Sequence, residues 1–471
     1  MISSPPSAAP VLLPGFVGTE LPDWLAARLR AGLGGVCLFA ENITSPEQLR
    51  ALTAAIREAN PLALIAIDEE GGDVSRLHAA TGSPFPGNAV LGRIDDTELT
   101  ASVGAAVAAE LLAAGVNLNF APDADINSNP DNPVIGVRSF GTEPALVARH
   151  TAAWVAAHEA GGVAVSAKHF PGHGDTAADS HHALPVVDLP LETLRERELV
   201  PFEAAIAAGA RTIMSSHILL PQLDPSGPAT FSSRILQRLL REELGFEGVV
   251  VSDALDMAGA SGEIGIPAAA VRALAGGCDL LCIGTRNTDA QLGAIEDAIG
   301  AALAAGELDD ARLADAVARV IALAESLAGQ PGAQPDAFST DPVRIASGFD
   351  VAPGTVLPEG ARLVSIETNA NMAVGPDVPW GLASVGRAPE RVYEGQALPA
   401  SDAPYLIVGK DNHRRAWTRE LIDAARAAQP GTVVIDMGWP SPDRAYADIA
   451  TFGASRSVSV ALRELLDGGA R

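Results

Sequence analysis

The chain has 471 residues, enough for two domains that each bury a full core. Its 48% hydrophobic and 19% charged residues describe an ordinary globular protein. A formal net charge of −26 argues against nucleic acid or an anionic membrane as partner, because the field of the whole molecule repels phosphate.

The first residues, MISSPPSAAPVLLPGF, carry no basic segment and no adequate apolar core, so no secretory signal is expected. No apolar run reaches membrane-spanning length. Cys37, Cys278 and Cys282 sit in apolar, strand-like segments, which predicts buried thiols in a reducing, cytoplasmic compartment.

Strand-like runs begin at Val11 (VLLPGF), Gly34 (GGVCLF), Leu62 (LALIAID) and Asn117 (NLNFAPDAD). Four more begin at Val163 (VAVSAKHF), Arg211 (RTIMSSH), Glu247 (EGVVVSDA) and Cys278 (CDLLCIG). Amphipathic stretches separate most of them, such as SPEQLRALTAAIREAN from Ser45, with its serine cap, and LETLRERELVPFEAAIAAGA from Leu191. Eight βα units predict a TIM (β/α)8-type barrel, an α/β fold, over residues 1–330. Asp68, Asp123, Asp125, Lys168, His169, Ser216, His217, Ser252 and Asp253 all fall at the carboxyl ends of these strands. In a barrel those ends converge on the active-site mouth.

One of these strands runs into KHFPGHGDTAADSHH, from Lys168 to His182. Pro171, Gly172 and Gly174 exclude a helix there, which leaves a polar loop at a strand end. A solvated turn explains four imidazoles among carboxylates poorly. A metal site is the second reading, with His169, His173, Asp175, Asp179, His181 and His182 as possible ligands, although Pro171 and Gly172 oppose the helix face that the His169/His173 spacing would suit. Acid/base chemistry by Asp179-Ser180-His181 is the third reading and the preferred one, the carboxylate orienting and charging the imidazole.

From 331 to 360 proline and glycine dominate and periodicity fades, so a linker is expected. ARLVSIE, APYLIVGK and GTVVIDMG follow, with helical stretches NHRRAWTRELIDAARAAQ and SRSVSVALRELLDGG. They predict a smaller C-terminal α/β sandwich over 361–471, without a catalytic cluster of its own.

The sequence resembles glycoside hydrolase family 3, in its bacterial β-N-acetylglucosaminidase branch. The resemblance rests on IDEEGGDVSRL from Ile67, NPVIGVRSFG from Asn132, KHFPGHGDTAADSH from Lys168, PATFSSRIL from Pro228 and LREELGFEGVVVSDALDM from Leu240. GGCDLLCIG from Gly276 and, in the C-terminal part, YADIATFGASR from Tyr446 complete it. It implies that Asp253 is the nucleophile and that Asp179 and His181 form the acid/base dyad. It also implies that Asp68, Arg138, Lys168 and His169 hold sugar hydroxyls. Related sequences usually have a basic residue where Asp73 stands and an aspartate where Val137 stands.

The expectation is a retaining β-N-acetylhexosaminidase for small N-acetylglucosamine-containing glycosides, with no cofactor and no metal. A histidine acid/base is neutral after giving up its proton, which admits phosphate as an alternative acceptor. Asp256 is the rival nucleophile, three residues beyond Asp253. The competing functions are a non-catalytic sugar-binding protein and a metal-dependent hydrolase.

Overall fold

The computed structural model describes residues 7–177, 180, 184–329, 338–368, 373–375 and 378–468. They form two compact units. The first comprises Met1–Glu69, Thr97–Ile126 and Glu143–Asp336; the second comprises Glu70–Asp96, Asn127–Thr142 and Ala337–Arg471.

The first unit holds eight strands: β1 Leu12–Pro14, β2 Gly35–Leu38, β3 Leu64–Ile67, β4 Leu118–Asn119, β5 Ala164–Phe170, β6 Thr212–Ser215, β7 Val249–Ser252 and β8 Leu280–Gly284. Each lies within one of the eight predicted runs. They pair in parallel in the order β1-β8-β7-β6-β5-β4-β3-β2. Where the two edge strands meet, Gly34 N donates to Ala9 O at 3.0 Å, so the barrel is nearly closed. Every residue of β1–β8 is buried, because one face packs inside the barrel and the other against helices. That is why these strands read as continuous apolar runs.

Two local details differ from the sequence reading. The run from Asn117 gives a ladder of only two residues, because its asparagine side chains take over the pairing. Asn117 accepts from Ile65 N at 2.7 Å, and Asn119 both accepts from Glu69 N (3.0 Å) and donates to Glu69 O (2.9 Å). The stretch from Leu191 forms two helices, Leu191–Glu196 and Val200–Ala207. Pro201 sits in the first turn of the second, where its missing N–H is tolerated. Ser45 caps its helix as expected, accepting from Gln48 N at 3.2 Å. Among the described residues no helix is long and apolar enough to cross a membrane.

The second unit holds β9 Asp350–Val351, β10 Arg362–Ile366, β11 Glu390–Val392, β12 Tyr405–Gly409, β13 Val433–Asp436 and β14 Ile449–Ala450. Their order is β11-β10-β12-β13-β14-β9, parallel except for β9. Alternate residues face opposite sides, as the period of two demands. Leu406, Val408, Val433 and Ile435 pack with Val458, Ala461 and Leu462 of helix Arg456–Gly468. Tyr405, Ile407 and Val434 pack with Ile422 and Ala425 of helix Ala416–Ala428. This is an α/β sandwich. Within the stretch read as linker, Asp341 accepts from Val343 N at 2.9 Å and caps helix Pro342–Ala346, whose Ile345 is buried. Strand β9 follows, so ordered structure begins before residue 361.

One buried charge braces the barrel wall. Asp279, just before β8, accepts from Val250 N of β7 at 2.8 Å and pairs with Arg241 and Arg312. Asp279→Asn takes the charge from between two largely buried guanidinium groups, of which Arg312 keeps Asp315 and Arg241 keeps backbone carbonyls, so it should lower stability by about 3 kcal/mol. Urea unfolding of the full chain checks this; a loss below about 0.5 kcal/mol would contradict it.

Candidate active site

Parallel strands leave their last peptide groups and side chains at one rim, and here the rim is crowded with charge. Asp68 follows β3, and its Oδ1 lies 2.7 Å from Lys168 Nζ of β5. The lysine is 3% exposed and the aspartate 19%.

Asp125 organises the next sector. Its Oδ1 accepts from His173 N at 2.7 Å and from His169 N at 3.3 Å, and its Oδ2 lies 2.6 Å from His169 Nδ1. The carboxylate thereby holds the proton on Nδ1 and fixes the ring plane. Asp123, Asp125 and His169 each bring one ligand-type atom within 4.8 Å of the others. The short Asp125–His169 bond and the bond from Asp125 N to Asp123 Oδ1 at 3.0 Å join the three as a hydrogen-bonded cluster.

The PGHG turn is shaped by this packing. A Cβ on Gly174 would stand 1.6 Å from Ile126 O, and one on Gly172 would stand 2.8 Å from Glu198 Cβ. Gly172 also has φ +127°, a region that favours glycine. Between these glycines lies His173, wholly buried, with burial and then the neighbouring His169 pushing its imidazole down to about 4. Thr176 Oγ1 donates to His173 O (3.1 Å) and therefore accepts from Nδ1–H (3.0 Å). Nε2 is then the acceptor for Ser180 Oγ–H at 3.1 Å. Ser180 lies between Asp179 and His181, which themselves lie outside the described residues.

Asp253 follows β7, half-buried, with Oδ1 accepting from Ala254 N at 2.7 Å. Ala254 O accepts from His217 Nε2 at 3.0 Å, so a buried histidine fixes the peptide next to the one that binds this carboxylate. Ser216 donates to Phe170 O (2.9 Å), and Ser252 accepts from Cys282 N (3.1 Å). These strand-end residues serve the backbone. Asp256 turns to the end of β8, where its Oδ2 accepts from Thr285 N at 2.8 Å. Burial, with the Asp253 charge adding, raises its carboxyl above the usual range.

Arg138 belongs to the second unit. Its guanidinium grips Glu70 through two bonds of 2.7 and 2.9 Å, and both side chains are at most 5% exposed. Asp73, in the same unit, accepts from Ala454 N (2.7 Å) and Lys410 Nζ (3.0 Å). Val137 packs against that unit's apolar core.

Residues 20–323 match the Glycosyl hydrolase family 3 N terminal domain. The chain belongs to glycosyl hydrolase family 3. It is 39% identical over 337 residues to a beta-hexosaminidase A of Pseudoalteromonas piscicida, covering 66% of this chain and 56% of that protein. A beta-hexosaminidase of Pseudomonas aeruginosa is 40% identical over 281 residues, or 58% of this chain and 83% of that protein. Among solved structures, a family 3 β-N-acetylglucosaminidase from Paenibacillus sp. strain FPU-7 superposes with TM-score 0.86 at 32% identity. That match covers 98% of this chain and 96% of the other, so barrel and sandwich are both shared. Family membership makes this chain a glycoside hydrolase.

Sequence reasoning missed Glu198. In LRERELVPF it reads as one more solvated helix charge, yet its side chain is 0% exposed at the break between two helices. Burial pushes its carboxyl up to about 7 against the Arg197 charge beside it, and the nearby Asp125 adds to the rise. A raised acid pKa stabilises the fold below the ordinary value of 4.5, and that contribution is lost as pH climbs to about 7. Glu198→Gln should therefore remove up to about 3 kcal/mol of pH-dependent loss. Comparing denaturation midpoints of both proteins at about pH 5 and about pH 8 tests it, and parallel losses in the two would count against it.

Proposed function

We propose that this family 3 member is a retaining β-N-acetylhexosaminidase that removes terminal β-linked N-acetylglucosamine. The observation that carries the reading is Asp253, held at the end of a buried strand with Oδ1 bonded to Ala254 N. A nucleophilic carboxylate must be held rigidly, and that placement supports such a role. The names of the similar proteins support the sugar.

In this reading the substrate's pyranose lies over the rim with its hydroxyls on Asp68, Lys168 and His169. Asp253 attacks the anomeric carbon while His181, charged beside Asp179, gives its proton to the leaving oxygen. The glycosyl–aspartate ester forms as the glycosidic bond breaks. His181, now neutral, takes a proton from water, whose oxygen displaces Asp253 and regenerates the carboxylate. Two displacements at one carbon give net retention. Phosphate in place of water would yield the sugar 1-phosphate by the same step, and a neutral base imposes no charge barrier of its own.

Asp253→Asn keeps the shape but loses the attacking charge, so turnover should fall by about a thousandfold or more. A 2-fluoro glycoside should label Asp253, as read by peptide mass spectrometry. Labelling at Asp256 or His181 would overturn the assignment.

His181→Ala should slow alkyl glycosides far more than activated aryl glycosides, because only poor leaving groups need the proton. Asp179→Ala should follow the same pattern more mildly. Equal losses on both substrate types would make His181 a binding residue. Running the reaction in phosphate, with phosphorus NMR of the products, decides between hydrolysis and phosphorolysis.

A further inference from the structure

The second unit has a cavity that the barrel chemistry does not use. Its sheet order, β11-β10-β12-β13-β14, means that the winding reverses at β10: the chain next adds β11 on one side, then β12 and its successors on the other. At such a switch point the connections leaving neighbouring strands diverge, and a crevice opens beyond their carboxyl ends. A cavity of about 330 Å³ lies there. It is lined by Ser365 and Glu367 from the end of β10, Arg391 of β11, Val408 of β12, and Trp380.

The lining has a definite chemistry. Glu367 is 16% exposed and its Oε1 accepts from Ser365 Oγ at 2.8 Å. Arg391, 57% exposed, stands 3.7 Å away, too far for a hydrogen bond. The carboxylate and guanidinium therefore neutralise each other while both keep hydrogen-bonding capacity. Trp380 is half-buried, and Lys410 Nζ lies over its ring, 4.9 Å from the centroid, which steadies the indole. An apolar plate beside a balanced acid–base pair recognises a neutral ring with hydroxyls on its edge and C–H groups on its face. The volume, near the lower end for ligand sites, admits one such ring.

Phosphate-bearing ligands fit less well. The segment after β10 reads ETNANMAVG, without the glycine spacing that cradles a pyrophosphate.

The geometry points to a saccharide-binding pocket at the switch point of the sandwich domain, with Trp380 as platform and Glu367 and Arg391 as the polar edge. It stands on the second unit's own residues and holds whether or not Asp253 is the nucleophile.

The test uses the full chain labelled with 5-fluorotryptophan. Its five tryptophans give separate fluorine resonances, and Trp380→Phe assigns that of Trp380. N-acetylglucosamine titrated to about 50 mM should shift the Trp380 resonance saturably, with Kd of about 1 mM. Glu367→Gln and Arg391→Gln should each weaken that response about tenfold, because each removes one side of the polar edge. An unmoved Trp380 resonance overturns the proposal, as does unchanged affinity in both variants. So does an equal response to glycerol, or a response to adenosine monophosphate without one to the sugar. A barrel that fails the 2-fluoro labelling leaves this result standing, so the two readings fail separately.

Discussion

The strand-end rim of the barrel depends on one carboxylate. Asp125 lies beyond the end of β4, and its two oxygens take three N–H groups from the β5 side: His169 N, His169 Nδ1 and His173 N. A turn that presents three donors to one aspartate must bring its backbone very close to the neighbouring loop. That requirement sets the glycines at 172 and 174, one against Glu198 and the other against Ile126 O. It also buries His173, which then carries Ser180 on its far nitrogen. One polar anchor thus orders the stretch leading to Asp179 and His181, where apolar packing would have left the imidazoles without defined tautomers.

Much of the barrel was legible because its physics is local to each strand. A strand buried on both faces must be an unbroken apolar run, so VLLPGF, GGVCLF and their successors announced themselves. The rim residues were legible for a related reason: a polar residue that abruptly ends such a run stands at a strand end. Asp68, Asp125, Lys168, His169 and Asp253 were found that way. His217 and Ser252 met the same test yet bond to backbone, since position at a rim does not tell a catalytic group from a brace.

The rest was hidden because it rests on contacts distant in sequence. Residues 70–96 and 127–142 follow barrel strands, but they cluster with the second unit. There Ala89 and Val90 join a core built mainly beyond residue 340. Strands β9, β11 and β14 have two or three residues each, too few to carry a period. Glu198 was hidden for the opposite reason, since a buried acid among arginines and glutamates has the composition of a solvated helix.

The two perturbed groups beside the PGHG turn act in a common direction. His173 is neutral above about 4 and Glu198 is neutral below about 7, so both are uncharged across the interval between. Each was displaced by burial, and each would otherwise have put a charge close to Asp125. Within that interval neither side chain adds a charge of its own beside Asp125. A glycosidase whose transition state develops positive charge at the anomeric carbon gains from that simplicity. Burying an imidazole and a carboxyl in their neutral forms gives the loop the hydrogen bonds of polar residues without adding to the charge that the chemistry has to manage.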